Sequence, residues 1–279
     1  DGLFFEDPAM MTADRSSCDV GYVRSGTGNT PRNPFQNGDN PHPENQDCNY
    51  TSTFNGTSSA APTVAGSIAL ILEANPDLTW RDVKHILAST SKITDSTRSY
   101  DYLGINQYSW VTNAAGYNHH SWYGFGVVDV EAAVAMAEDY QADSLGNLQA
   151  VNLNFGLSND TTLSDGGAVS LNLNVSDDMV IEYLRFSSLF NHDAPETLGM
   201  TLTSPNGTVI NVLQPYHAGT ENPYSDGYFT SPTYRPVTTG VSGFYGESSA
   251  GTWVLTIYDY EEDGIQATFN SWRFKIYGR

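Results

Sequence analysis

One segment of this chain combines residue types able to do covalent chemistry. It is Phe54-Asn55-Gly56-Thr57-Ser58-Ser59-Ala60-Ala61-Pro62-Thr63-Val64-Ala65-Gly66. It puts a serine where a loop enters a helix. A helix N-terminus carries roughly half a positive charge and several unpaired N–H groups. A serine there is exposed, and its own backbone N–H can face an oxyanion developing on a carbonyl under attack. The small residues Gly56, Ala60, Ala61 and Gly66 let a substrate and neighbouring strands come close. The simpler alternative is that Ser58 only N-caps a buried helix. Residue types alone favour that cap.

Other chemistry-bearing residues are scattered. Cys18 and Cys48 bracket a polar stretch rich in Gly, Asn and Pro. A disulfide across it would restrain the loop, with about 3–4 kcal/mol from chain entropy for roughly thirty residues. The alternatives are two unpaired buried cysteines, or a zinc site, which lacks a CxxC or a spaced His pair to support it. Of the six histidines, His42 stands in the proline-flanked Asp39-Asn40-Pro41-His42-Pro43. His85 reads as a surface residue, His119 and His120 as structural and His217 as part of a polar loop. Asp259-Tyr260-Glu261-Glu262-Asp263-Gly264 is the densest acidic cluster. Its plainest reading is a solvated hairpin tip turned by Asp263-Gly264. Asp177-Asp178, Asp193 with Glu196, and Asp19, Asp39 and Asp47 are weaker acidic groups.

The elements that must hold these residues follow from pattern. Ala60–Ala74 is an apolar helix of small residues, ended by Asn75-Pro76-Asp77, with Pro62 in its first turn, where proline is tolerated. Thr79 as N-cap and Asp82 at N3 make a capping box for a second helix, with Trp80, Val83 and Leu87 on one face. Tyr123-Gly124-Phe125-Gly126 reads as a tight turn, and Asp129 caps a third helix over Val130–Tyr140. Near Ala142–Gly146 the period changes. Val169–Val175, Leu198–Thr203, Trp253–Tyr258 and Trp272–Tyr277 alternate apolar and polar, with Pro205-Asn206-Gly207 and Asp263-Gly264 as turns. Short strands at this spacing predict an antiparallel β-sandwich of ~130 residues, behind a linker at 142–150.

Composition narrows the function classes. Twelve basic against thirty-two acidic residues give a net charge of −20, shared by both halves of the chain. That field repels phosphate backbones and argues against a general nucleic-acid binder and a polybasic membrane anchor. Aromatic residues at 12% and long patterned apolar segments exclude a disordered chain. No apolar run reaches the ~18–20 residues that span a bilayer. Residues 1–20 lack the basic and apolar regions of a signal peptide, and Asp1-Gly2-Leu3 reads as a start in mid-chain. Few lysines, much Asn, Ser and Thr and two bracketing cysteines point to a secreted or extracellular protein, in a bacterium one of the periplasm or cell surface.

Gly56-Thr57-Ser58-Ser59-Ala60-Ala61-Pro62 resembles the nucleophile motif of subtilisin-like serine peptidases. Leu72-Glu73-Ala74-Asn75-Pro76 and Leu78-Thr79-Trp80-Arg81-Asp82-Val83 resemble their kexin/furin-like branch. Met11-Thr12-Ala13-Asp14 and His120-Ser121-Trp122-Tyr123-Gly124-Phe125-Gly126 are similar to further segments of those enzymes. Leu202–Thr208, Gly246-Glu247 and Gly251–Leu255 resemble their P domain. The resemblance implies a multidomain fold: residues 1–145 as the C-terminal part of a subtilisin-like α/β catalytic domain with a parallel sheet, carrying an insertion loop at 19–53, and 146–279 as a β-sandwich P domain. It implies that Ser58 attacks the peptide carbonyl after a histidine takes its proton, with an aspartate orienting the histidine. Gly56, Thr57 and Ser58 then lie around the substrate and the oxyanion. In that family the aspartate, the histidine and the oxyanion asparagine precede the serine by far more than 57 residues. The chain thus reads as a C-terminal fragment that needs the rest of its catalytic domain and is not competent alone. Partners expected from the resemblance are peptide or protein substrates with basic residues at the cleavage site. Structural calcium is expected too, with Asp259 and Asp263 as candidate ligands. A non-catalytic β-sandwich binding module is the competing reading. An α/β-hydrolase is disfavoured because Ser58 lies in no Gly-x-Ser-x-Gly elbow.

Overall fold

A computed structural model describes residues 8–26, 33–102, 105–192, 197–215 and 235–279. His217, Asp193 and Glu196 lie outside the described residues. The chain forms two compact units, Asp1–Pro76 and Asp77–Arg279.

In the first unit, β1 (Met10–Ala13) pairs antiparallel with β2 (Tyr50–Phe54), with Ala13 opposite Tyr50. The intervening loop is closed at its base by the Cys18–Cys48 disulfide, with Cα atoms 5.0 Å apart. Asp14 anchors its start, its carboxylate accepting from the backbone N–H groups of Tyr22 (2.8 Å) and Val23 (2.9 Å). Helix α1 (Thr57–Ala74) follows β2. It begins three residues earlier than the apolar pattern predicts, because Ser59 donates from its hydroxyl to Gly56 O (2.9 Å) and stabilises the first turn. Thr63 and Ser67 donate in the same way to the carbonyls four residues back. Ser59, Ser67 and Ile71 form the buried stripe.

The second unit opens with α2 (Trp80–Thr90), whose capping box forms as expected: Thr79 Oγ1 accepts from Asp82 N and the Asp82 carboxylate accepts from Thr79 N. The buried face is Arg81, Asp82, Val83, Ile86 and Ala88, and Trp80 is 67% exposed. The expected Trp80–Val83–Leu87 face is therefore rotated. Arg81 and Asp82 go inward because buried partners are waiting for them, and Trp80 turns out. Two short antiparallel strand pairs follow: β3 (Tyr100–Tyr102) with β4 (Ile105–Tyr108), and β5 (Val111–Thr112) with β6 (Asn118–His119). The Tyr123–Gly126 turn closes with Gly126 N on Tyr123 O at 3.0 Å. Gly126 has φ 121°, and a Cβ there would sit 2.2 Å from Lys92 O. Helix α3 (Val130–Asp139) starts at Asp129, whose side chain accepts from Ala132 N.

Eight strands then build a sandwich. They are β7 (Gln149–Leu163), β8 (Ala168–Val175), β9 (Ile181–Asn191), β10 (Leu198–Thr203), β11 (Val209–Leu213), β12 (Arg235–Val241), β13 (Gly251–Asp259) and β14 (Ala267–Gly278). One sheet runs β11-β10-β13-β8 and the other β12-β9-β14-β7. Alternation sends Trp253, Leu255 and Ile257 inward from β13 and Trp272, Phe274 and Ile276 inward from β14. Trp253 is fully buried, with Phe244 and Phe274 edge-on to it at 4.9 and 5.7 Å. All strand pairs among the described residues are antiparallel. The strands of the parallel sheet implied by the resemblance are not among them.

The expected boundary at 145/146 falls inside the second compact unit. Leu145 is buried, Asp143 N donates to the Asp82 carboxylate (2.9 Å), and Arg81 donates to Gly146 O. The linker is thereby pinned to α2. Compactness and module origin are different ways of dividing a chain, and the geometry records the first.

Candidate active site

Ser58 occupies the second position of α1, and the N-cap is Gly56. Ser58 is thus not the cap. Gly56 has φ 73° and ψ −167°, a conformation that L side chains rarely adopt, and open space lies where a Cβ would be. That backbone turn delivers Thr57 and Ser58 to an exposed helix start. Ser59 N and Ala60 N both bond Gly56 O, at 3.1 and 3.2 Å. The N–H groups of Thr57 and Ser58 precede them and belong to the unpaired set of a helix start. Pro62 lies in the second turn, since the helix begins at Thr57. It has no N–H to give to the carbonyl four residues back, which is that of Ser58. Among the described residues no hydrogen bond engages the Ser58 hydroxyl. The site therefore has a nucleophile-type side chain, free N–H donors and a favourable dipole, all on one exposed helix end.

Among the described residues of the first unit, the one histidine, His42, makes no hydrogen bond to Ser58. His42 Nδ1 accepts from Glu44 N (3.3 Å), and its ring packs 5.4 Å from Phe35. His85, expected on the surface, is half-buried: Nδ1 is 3.0 Å from Tyr245 Oη, and burial pushes its pKa down. His119 is buried, with Nε2 3.4 Å from Ser242 Oγ, and burial pushes its pKa down to about 4. His120 is buried too, accepting at Nδ1 from Trp122 N and packed against Trp110 and Tyr123.

The candidate calcium ligands have other engagements. Asp259 is buried at the end of β13; one oxygen accepts from Thr197 Oγ1 (3.2 Å) and the other lies 3.7 Å from His192 Nε2. Asp263 is exposed at the hairpin tip and accepts from Ile265 N (2.9 Å). There the Asp165 carboxylate takes the N–H groups of Asp263 and Gly264. Asp19 accepts from Ser17 Oγ, Asp39 from Gly26 N and Asp178 from Ser248 Oγ. Among the described residues no three Asp, Glu, His or Cys side chains converge on a point. Asp259 faces an imidazole and a hydroxyl inside the sandwich and Asp263 closes a turn, so the two carboxylates have unlike surroundings.

Sequence reasoning missed the polar residues that join α2 and the 111–126 segment to the sandwich. Arg81 grips Glu182 of β9 with Nε–Oε2 at 2.9 Å and Nη2–Oε1 at 2.5 Å. Lys84 Nζ donates to Glu182 O (2.8 Å), and burial lowers its pKa. Asn113 Nδ2 donates to Gly243 O and Tyr245 O, and its Oδ1 accepts from Ala115 N and Tyr117 N. Buried Glu247 accepts from Ser204 Oγ (2.6 Å), Thr208 Oγ1 (2.5 Å) and Ala114 N (3.1 Å). Tyr245 is 1% exposed, and its hydroxyl pKa is pushed up to about 12 by burial first and by Tyr117 next. The apolar pattern gave no signal for them, since it places Arg81 off the expected Trp80–Val83–Leu87 face.

Residues 26–126 match the model of the subtilase family, and residues 181–276 match that of the proprotein convertase P-domain. The Aeromonas extracellular serine protease of Aeromonas sobria is 30% identical over 275 residues, covering 91% of this chain and 42% of that protein. Human proprotein convertase subtilisin/kexin type 5 is 32% identical over 218 residues, 75% of this chain and 10% of that protein. The crystal structure of the Aeromonas sobria serine protease superimposes with a TM-score of 0.84 at 26% identity, covering 98% of this chain and 51% of that one. This chain spans about half the length of these Aeromonas relatives, and far less of the convertase. The ordered pair of subtilase segment and P-domain sandwich, matched over 98% of the chain in a solved Aeromonas protease, identifies the family: the chain belongs to the subtilisin-like serine peptidases of the kexin/furin-like branch, as part of a catalytic domain followed by a P domain.

Proposed function

We propose that the whole protein is a secreted serine endopeptidase in which Ser58 forms the acyl-enzyme. The observation that carries this is the exposed Ser58 hydroxyl in the first turn of α1, directly behind the positive-φ Gly56. Ser58 Oγ attacks the scissile carbonyl, and its proton passes to a histidine on a segment outside these 279 residues. The Ser58 N–H, next to Gly56 and Thr57, supplies one oxyanion donor. Without base and orienting carboxylate an isolated serine hydroxyl is a weak nucleophile, so these 279 residues alone do not hydrolyse peptides.

In this reading residues 1–145 belong to the catalytic module and 146–279 to the P module, which steadies it through Arg81–Glu182, Asn113 and Glu247. The substrates are peptides or proteins with basic residues before the cut. The net charge of −20 and the convertases among the relatives support that preference. An extracellular setting is supported by the disulfide and by the name of the Aeromonas relative. No helix among the described residues is long and apolar enough to cross a membrane. Calcium is not assigned to Asp259 or Asp263.

The test is covalent labelling of the full-length protein with a fluorophosphonate, followed by mapping of the modified peptide. Label on Ser58 supports the assignment. A labelled protein with Ser58 unmodified sinks it. Cleavage of matched basic and acidic peptide series at equal rates would remove the proposed preference without touching the nucleophile.

A further inference from the structure

Three of the twelve basic residues of this acidic chain meet on one face of the sheet β12-β9-β14-β7. Lys275 lies directly opposite Arg185 across the β14–β9 ladder, and Arg273, two residues along β14, lies opposite Ser187. Phe186, Phe274 and Ile276 alternate with them and are buried in the core. The three cations therefore share the outward face. Arg185 and Arg273 are exposed and Lys275 is half-buried, and none of the three has an ion-pair partner among the described residues. The row through Lys275 and Arg185 continues to Asn152 on β7 and Gly240 on β12, so no carboxylate stands in register with it. Tyr183 and Tyr277 flank the strip, ring centroids 6.0 Å apart, with Lys275 Nζ 4.8 Å from the Tyr277 ring centre.

Like charges directly opposite one another destabilise a sheet. With thirty-two carboxylates in the chain, an uncompensated Arg–Lys pair is a costly arrangement unless something anionic answers it. Salt screens charges beyond ~8 Å at physiological strength, so distant carboxylates do not cancel the strip for a ligand lying on it.

We propose that this outer face of the sandwich binds a sulfated polysaccharide. The cations are spaced about 5 Å across the ladder and about 6.7 Å along the strand, which suits anionic groups recurring along a linear chain lying across the face. Arginine forks hold two oxygens of one oxyanion, and tyrosine rings offer an apolar face with a polar rim to a sugar. An acidic peptide carries its carboxylates on rotatable side chains, and each one ordered on the face costs conformational freedom. Duplex nucleic acid is a stiff rod and cannot settle successive phosphates onto a strip of three cations on a flat sheet face as a flexible chain can.

The test titrates the full-length protein with dextran sulfate at stepped salt, with neutral dextran, poly-glutamate and duplex DNA as the other arms. The expected result is binding to dextran sulfate, none to neutral dextran and weaker binding to the other two. The log–log salt slope should be about −2 to −3, for two or three cations engaged. The double variant R185Q/K275Q should weaken binding at least about tenfold, since each lost contact of this kind is worth near one factor of ten. The exchange R185K/K275R should retain it, and R15Q, in the first unit, should not change it. Removing like-charge neighbours should leave the Tm equal to or above that of the parent, which separates lost binding from lost folding. If the double variant fails to fold, the parent's ligand preference and salt slope decide. Absence of dextran sulfate binding at about 50 mM salt, equal or tighter binding of poly-glutamate or DNA, or unchanged binding by a folded R185Q/K275Q overturns the proposal.

Discussion

Arg81 and Glu182 lie 101 positions apart and meet in a two-point ion pair, with side chains 8% and 4% exposed. Arg279 stands 3.3 Å from the same carboxylate, and Arg81 also donates to Gly146 O. One contact thus fixes helix α2, the linker and strand β9 to each other. Removing Arg81 leaves the buried Glu182 carboxylate with Arg279, 3.3 Å away, as its remaining ion-pair partner among the described residues. We expect Arg81→Ala to destabilise the fold by about 3 kcal/mol, and Arg81→Met with Glu182→Leu by less than Arg81→Ala alone. Urea unfolding of the three proteins checks this. Equal losses in the single and double variants would mean that packing, not charge, governs the site.

The pH dependence of stability should show two windows. His119 titrates near ~6.5 when unfolded but at about 4 when folded, because it is buried and next to His120. Its stabilising effect is complete above the unfolded value. As pH falls from there towards about 4, the unfolded chain binds a proton that the fold refuses, and about 3 kcal/mol is lost. His85 acts in the same direction. Glu182 behaves as a carboxylate: burial raises its pKa, but the hydrogen bond and charge of Arg81 outweigh burial and hold it below the usual 4.5. Its contribution is present above that value and lost as pH falls through the lower folded one. Unfolding midpoints across pH should show His119→Gln flattening the slope above pH 4.5 in part and Glu182→Gln changing the slope below it.

Ser58→Ala should separate activity from stability. Ser58 is exposed and is not the helix cap, so the unfolding midpoint of the variant should stay within about 0.5 kcal/mol of the parent. Turnover by the full-length protein should drop at least about a thousandfold. A stable variant that keeps its turnover would remove Ser58 from the chemistry.

Cys18 and Cys48 close a loop of 30 residues. Replacing both with serine should cost about 3–4 kcal/mol by chain entropy. The loss should be largest in the first unit, where the loop otherwise hangs on Asp14 and on Asp39 accepting from Gly26 N. Hydrogen exchange of the Tyr50–Phe54 amides, with and without reductant, measures it. Unchanged protection after reduction would show that β1 and Asp14 hold the loop unaided.

Much of the local structure was legible in the chain because it rests on neighbours in sequence. The Thr79–Asp82 capping box, the Asp129 cap, the Tyr123–Gly126 turn and the exact span Leu198–Thr203 each depend on residues within one or two turns. Ser58 was legible as a serine at a helix start, and the motif around it pointed to the peptidase family. What α2 does with its faces was not legible, since amphipathic counting sends Trp80 inward and Arg81 out. Only Glu182, a hundred residues away, reverses that, because a buried carboxylate needs a cation more than the core needs an indole. The Asp259 and Asp263 carboxylates likewise look alike in sequence. Strand alternation buries the first beside His192 and leaves the second in a turn, so residues alike in sequence end in unlike surroundings. The sequence by itself determined the elements, the nucleophile-type serine and the family. The tertiary structure alone decided which charged residues are buried partners and which lie on an outer sheet face without an ion pair among the described residues, because those outcomes depend on long-range register rather than on local pattern.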